Sequence, residues 1–277
     1  MLRLFSPFYQ TVFKRLFNHS SVATKIVSCL LGQTIHSSKR IFSPPTVQRE
    51  VRPKDVITLC PVCSVDYQFH IETKDGSNSA LEMKIMQGKK PIDYAIYGQK
   101  HTVTQEERSA PMFVCFLEEQ VKGCDVTVLE KRNGAFVDKE TGHEIGQFDS
   151  SFKWLTEGSI VVQISALENC RHDTLKKVLS IFVHAKGDSA PVRTVLLDED
   201  GFPSDYFEIV ERLAFITVDV DVLANLFVED DYLSVLIWQE RELAKKDELI
   251  AQKKAINILV EKRGISRKEA EKLVRGK

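Results

Sequence analysis

Apolar and polar residues alternate over Tyr67-Gln68-Phe69-His70-Ile71 and again over Leu81-Glu82-Met83-Lys84-Ile85, a period of two that predicts half-buried strands. Asp125 to Leu129 leads through Asn133-Gly134 into Ala135-Phe136-Val137, and that dipeptide favours the tight turn of a hairpin. A second turn at Glu140-Thr141-Gly142 precedes Glu144-Ile145-Gly146, and Ser159 to Ile164 is a continuous apolar strand. The stretch from Val56 to Leu167 therefore reads as a mostly antiparallel β domain. After Cys170 the period turns helical, with Leu175, Val178, Leu179, Ile181 and Phe182 on one helix over Thr174 to Ala185. Val192 to Leu197 reads as one more strand, ending in the acidic turn Asp198-Glu199-Asp200-Gly201. Two further helices are predicted over Phe207 to Phe227 and Tyr232 to Leu259, with Glu229-Asp230-Asp231 between them as acidic charge at the start of the second. Leu236, Leu243 and Ile250 recur every seven residues there with Glu240, Asp247 and Lys254 at the other heptad position, so a self-associating coiled coil is only weakly specified and the helix over 232–260 is a candidate surface for a protein partner.

The end of the chain reads as a basic helix-turn-helix. Ala255, Ile256, Ile258, Leu259 and Val260 close one helix, Gly264 suits a left-handed C-terminal cap, and Ser266 with Glu269 three residues on forms a capping box for the next. Ala270, Leu273 and Val274 give that last helix one apolar face, and the two helices are expected to pack at Ile265. Lys245 to Lys277 holds eleven Lys/Arg against five acids, a net of +6 in a chain of net −1. A basic face of this kind attracts phosphate by releasing counterions.

Gly264-Ile265-Ser266-Arg267-Lys268-Glu269-Ala270-Glu271-Lys272-Leu273-Val274-Arg275 resembles the helix-turn-helix core of the S4 RNA-binding domain. The wider run Ala255 to Arg275 is similar to the ANTAR antitermination domain of bacterial regulators. The S4 domain continues into a β-hairpin and ANTAR into a third helix, neither of which follows here, and Ala255-Ile256-Asn257 replaces the usual Arg-Leu-Asp opening of the S4 pattern. Both families bind RNA, so both resemblances imply RNA contact, with Lys262, Arg263, Arg267, Lys268, Lys272 and Arg275 as the cations on offer.

Charge also marks the other end. Residues 1–49 contain seven Lys/Arg and no acid, and Phe8, Tyr9, Val12, Phe13, Leu16 and Phe17 form an apolar stripe with Lys14 and Arg15 off it. A basic, amphipathic, acid-free arm is how a mitochondrial transit peptide reads, and Arg40-Ile41-Phe42-Ser43 resembles a matrix-processing site with Pro44-Pro45 opening the mature chain. The expected destination is the mitochondrial matrix. The residues between arm and tail then carry a net of −14, an acidic body joined to a basic tail. No apolar run approaches the roughly 20 residues of a membrane-spanning helix.

Catalytic chemistry is sparse. Cys60-Pro61-Val62-Cys63 is the one spacing that suggests metal, two of the four ligands a structural zinc needs, and it also suits a dithiol redox pair or two ordinary strand-end cysteines; His70, Cys115, Cys124, His143, Cys170 or His172 could complete a zinc site only through the fold. The six cysteines lack the spacing of a disulfide framework. Neither GxSxG, HExxH, a P-loop nor GxGxxG occurs, so an enzyme is less expected than a binding protein. The expectation is an α+β protein with a targeting arm over 1–45, an antiparallel β-rich domain over 46–170, an α/β extension over 171–230 and a basic helical tail over 231–277. Its expected role is a translation-related, non-catalytic association with RNA or the ribosome. The alternatives are a signal-responsive bacterial RNA-binding regulator, or an assembly or scaffold protein whose tail binds an acidic protein partner.

Overall fold

A computed structural model describes residues 1–41, 63–72, 75–88, 111–146, 148–185, 192–263 and 266–275, with side chains at 232–244, 247, 262, 263, 271 and 275 excepted. The fold is mixed α+β, built on a large sheet and followed by a helical C-terminal part. Two compact units divide the chain, Met1–Phe227 and Val228–Lys277.

In the first unit, β1 (Leu2–Phe5) precedes α1 (Gln10–Phe17), α2 (Ser20–Leu31) and β2 (Ile35–Arg40). Then come β3 (Cys63–Glu72), β4 (Asn78–Gly88), β5 (Met112–Leu117), β6 (Val128–Arg132), β7 (Ala135–Asp138), β8 (Glu144–Ile145) and β9 (Ile160–Gln163). Helix α3 (Asp173–Leu179), β10 (Thr194–Leu197) and α4 (Phe207–Thr217) follow, and α5 (Val220–Arg263) runs on into the second unit, which ends in α6 (Arg267–Arg275). The eight-stranded sheet has the order β2-β3-β4-β5-β9-β6-β7-β8, and β1 pairs separately with β10.

The expected antiparallel sheet needs one correction. Its flanks are antiparallel, but β4, β5 and β9 run parallel at the centre. Parallel strands are buried on both faces and so read as continuous apolar runs. Met112-Phe113-Val114-Cys115-Phe116-Leu117 is such a run: Val114 and Phe116 enter one core, while Phe113, Cys115 and Leu117 enter a second core on the opposite face. At the antiparallel edge, Asn133 and Gly134 have φ of 54° and 80°, and Arg132 opposes Ala135, which is the two-residue hairpin the dipeptide requires.

The expected boundary at residue 45 lies outside the described residues, and the residues before it that are described pack into the first unit. Residues 1–40 contribute two strands and two helices to the first unit, and β2 joins the large sheet beside β3 in antiparallel register from Ile35↔Ile71 to Arg40↔Tyr67. The apolar stripe of α1 is there, but it faces inward: Val12, Phe13, Leu16 and Phe17 are buried to 0% exposure. Phe13 lies 4.5 Å from the Phe17 ring and 5.9 Å edge-on from Phe116 of β5. Charge in this segment is likewise answered inside the unit. Arg15 pairs with Asp219 at 3.5 Å and Lys25 with Glu208 at 2.8 Å, so basic residues near the start meet carboxylates about 200 positions away.

The helix boundaries also shift. The break expected at Glu229-Asp230-Asp231 lies instead at Val218-Asp219, and α5 passes through the acidic triplet as helix. Asp219 explains this, because its Oδ1 accepts from the backbone N–H of Asp221 at 3.0 Å and Val222 at 3.3 Å, the cap that starts a helix. The helix expected over Thr174 to Ala185 ends as α3 at Leu179, followed by a 3-10 turn over Ser180–Phe182.

Candidate nucleic-acid interface

The basic end of the second unit is assembled from the C-terminal turns of α5 and from α6. The capping box is formed as the residue types require. Glu269 accepts from the Ser266 backbone N–H at 3.0 Å and from the Ser266 hydroxyl at 2.8 Å, and the Glu269 N–H donates to Ser266 Oγ at 3.4 Å. These bonds favour the ionised carboxylate and hold Glu269 below the usual carboxylate range, the hydroxyl making the larger contribution. Helix α6 buries Ala270, while Lys268 and Lys272, two positions to either side, are exposed. A step of two residues is about 200° around a helix, so both lysines lie on the face opposite Ala270.

Of the other expected cations, Arg267 is exposed on the first turn of α6, positions 262 and 263 close α5, and position 275 closes α6. The turn residues Gly264 and Ile265, where the two helices were expected to pack, lie outside the described residues. Ile256 on α5 is buried at 5% exposure, whereas Ile258 and Leu273 stand 52% and 65% exposed.

The Cys60/Cys63 spacing is not brought into a described metal site. Cys63 opens β3 fully buried, Cys60 lies outside the described residues, and among the described residues no group of three His, Cys, Asp or Glu is placed to hold a metal. Cys115 and Cys124 lie in the second core, on the other face of the sheet from Cys63. Cys170 and His172 do not form a nucleophile and base. The Cys170 thiol donates to Glu140 Oε1 at 3.1 Å, and His172 Nδ1 accepts from the Leu175 N–H at 3.2 Å to cap α3. Burial, reinforced by the Glu140 carboxylate, pushes the Cys170 thiol up to about 11, so it stays protonated near neutrality.

Sequence reading missed a hydroxyl-lined groove of about 550 Å³ between α2, edge strand β2 and the turn before α4. Ser20, Thr24 and Ser28 recur every four residues on the face of α2 opposite its buried Val22 and Ile26. Their groups fasten the sheet edge: the Thr24 hydroxyl donates to Ser38 at 2.7 Å, the Ser38 hydroxyl to the Ser20 carbonyl at 2.9 Å, and the Ile35 N–H to Ser28 Oγ at 3.3 Å. Beside the groove, Glu208 accepts from Lys25 and from the Ser21 hydroxyl, and these bonds hold its carboxyl below the usual range. The spacing of hydroxyls on α2 is visible in the sequence, but β2 and Glu208 reach it only through the fold. No family model, curated protein or solved structure matches the chain.

Proposed function

We propose that the chain contacts RNA through its phosphate backbone, using the basic end of its second unit, with Lys262, Arg263, Arg267, Lys268, Lys272 and Arg275 as the contacting cations. The observation that carries this reading is the exposed pair Lys268 and Lys272, one turn apart on a helix that turns Ala270 inward. Like charges at that spacing cost an isolated helix a few tenths of a kcal/mol, and a polyanion laid along the face converts repulsion into attraction. Of the two acids between them in sequence, Glu269 and Glu271, the first is engaged by Ser266 in the cap. Resemblance to the S4 and ANTAR segments supports RNA over other polyanions, because RNA is the ligand that the two families share.

Phosphate contacts position a protein without reading base sequence. The role that follows is translation-related and non-catalytic, an association with ribosomal or messenger RNA. Delivery to the mitochondrial matrix is a separate part of the proposal, and it sets a condition on timing. The stripe an import receptor would grip is the stripe α1 buries, so import would have to act before the first unit folds.

Crosslinking of the tagged chain in cells, with sequencing of the bound RNA, tests the proposal when repeated after Arg263→Glu, Arg267→Glu and Lys268→Glu. Loss of crosslinked RNA is expected, and an unchanged crosslink pattern removes these residues from the interface. A salt-sensitive complex that survives nuclease would instead assign the tail to an acidic protein partner.

A further inference from the structure

At the start of α2, beside the hydroxyl-lined groove, a hydroxyl, an imidazole, a carboxylate and an ammonium come together. The Ser21 hydroxyl donates to Glu208 Oε1 and lies 3.0 Å from His19 Nδ1. Glu208 reaches that same Nδ1 at 3.5 Å and is held from its other oxygen by Lys25 at 2.8 Å. The two segments that supply these groups are 187 positions apart in sequence. A plain helix cap would aim the N-cap side chain at a backbone N–H of the first turn, and His19 makes no such bond. The N–H groups of Ser20, Ser21 and Val22 therefore have no acceptor within the helix or from its cap. Cα–Cβ bonds tilt toward the start of a helix, which places the Ser21 side chain at the end where those N–H groups open.

A hydroxyl within reach of an imidazole, an anion beside that imidazole and backbone donors at a helix start are the parts of acyl transfer, and Ser21 lines a groove of about 550 Å³. We infer that Ser21 is the nucleophile of an ester-hydrolysing site in which His19 is the base. The Ser21 proton points to Glu208 in the free chain, and turning the hydroxyl about its C–O bond redirects it to His19 without moving a heavy atom. His19 Nδ1 takes that proton as Ser21 Oγ bonds to the ester carbonyl carbon, and Glu208 faces the imidazolium so formed. The carbonyl oxygen gains its negative charge beside the Ser21 and Val22 N–H groups. When the adduct collapses, the bond from carbon to the alcohol oxygen breaks and the departing alcohol takes the proton from His19. Water then attacks the acyl-serine by the same route, releasing the acid and returning a hydrogen to Ser21. Lys25 is a positioning residue that holds Glu208 in place.

The rest of the lining describes the alcohol. Ser20, Thr24, Ser28, Ser37 and Ser38 present hydroxyls, which both donate and accept and so match the neighbouring hydroxyls of a polyol. Both cations of the lining, Lys25 and His36, already face a carboxylate, so the fit is to a neutral ester of a sugar or similar polyol. The site lies wholly in the first unit and is independent of the RNA contacts.

A fluorophosphonate probe on the full chain, with acetate release from monoacetylated glucose, tests this. Mass spectrometry should place one probe per chain on Ser21, and Ser21→Ala should abolish both labelling and acetate release. His19→Ala should slow both by about 10²–10⁴-fold at unchanged Tm. Lys25→Met should lower kcat at unchanged KM, and Lys25→Arg should recover most of the loss. Acetate should leave monoacetylated glucose faster than hexyl acetate. A wild type that takes up no probe and releases no acetate overturns the proposal. So do a probe found on another residue, labelling that persists in Ser21→Ala and a His19→Ala rate equal to that of the wild type.

Discussion

Replacing Phe13 by Ala tests the claim that the basic N-terminal segment is core. Phe13 is 0% exposed and touches aromatic rings on both α1 and β5, so truncation removes its own burial and leaves a cavity between helix and sheet. The transfer term is about 2 kcal/mol. The unfilled space and the two lost ring contacts raise the total to about 3–5 kcal/mol. Against the roughly 5–15 kcal/mol that holds a domain together, that is about a fifth or more of its stability. In a unit of 227 residues it should lower Tm by about 6–20 °C. Urea unfolding followed by near-UV circular dichroism reads the loss as a lower midpoint at unchanged slope. Phe215→Ala is the control, because Phe215 is 60% exposed and its change should stay near 0.5 kcal/mol. If Phe13→Ala behaved like Phe215→Ala, the segment would be a peripheral arm after all and the packing argument would fail.

Asp219→Ala should cost about 1 kcal/mol by removing the cap of α5, with Asp219→Ser recovering most of it in the same unfolding assay. Glu140→Gln should speed alkylation of Cys170 at pH 8, since the carboxylate helps hold the thiol near 11; an unchanged rate would leave burial as the whole cause. The cap on α6 should be acid-sensitive. Because Glu269 titrates below its ordinary 4.5 when folded, the stability it lends is present above that value and is lost as pH falls through the lowered one. Helicity should drop in acid in the wild type, and Ser266→Ala should remove that step while lowering helicity at neutral pH.

The legible parts of the fold are those set by local contacts. Alternation fixed β3 and β4 because each has one face toward the larger core, and Asn133-Gly134 fixed its hairpin because two adjacent positive φ values admit few other residues. Ser266 and Glu269 are legible for the same reason, three residues apart and bonded to each other. The losses are non-local. Strand β5 shows no alternation because both its faces are buried, and β2, with exposed His36, Ser37, Lys39 and Arg40, is a strand because β3 templates it. A basic amphipathic helix has the same sequence whether its stripe meets an import receptor or the protein's own sheet. The partners of Arg15 and Lys25 in the folded unit, Asp219 and Glu208, come at its far end in sequence. The groove on α2 was hidden by the same separation.

The dependence of RNA affinity on salt tests the central claim most directly. Six cations releasing phosphate counterions should give a slope of log K against log salt of about −4 on single-stranded RNA. Lys268→Ala and Lys272→Ala should each make it shallower by about 0.7, with affinity falling equally across unrelated sequences. A slope near zero, or one that neither substitution moves, would show that the exposed face of α6 does not meet the phosphates.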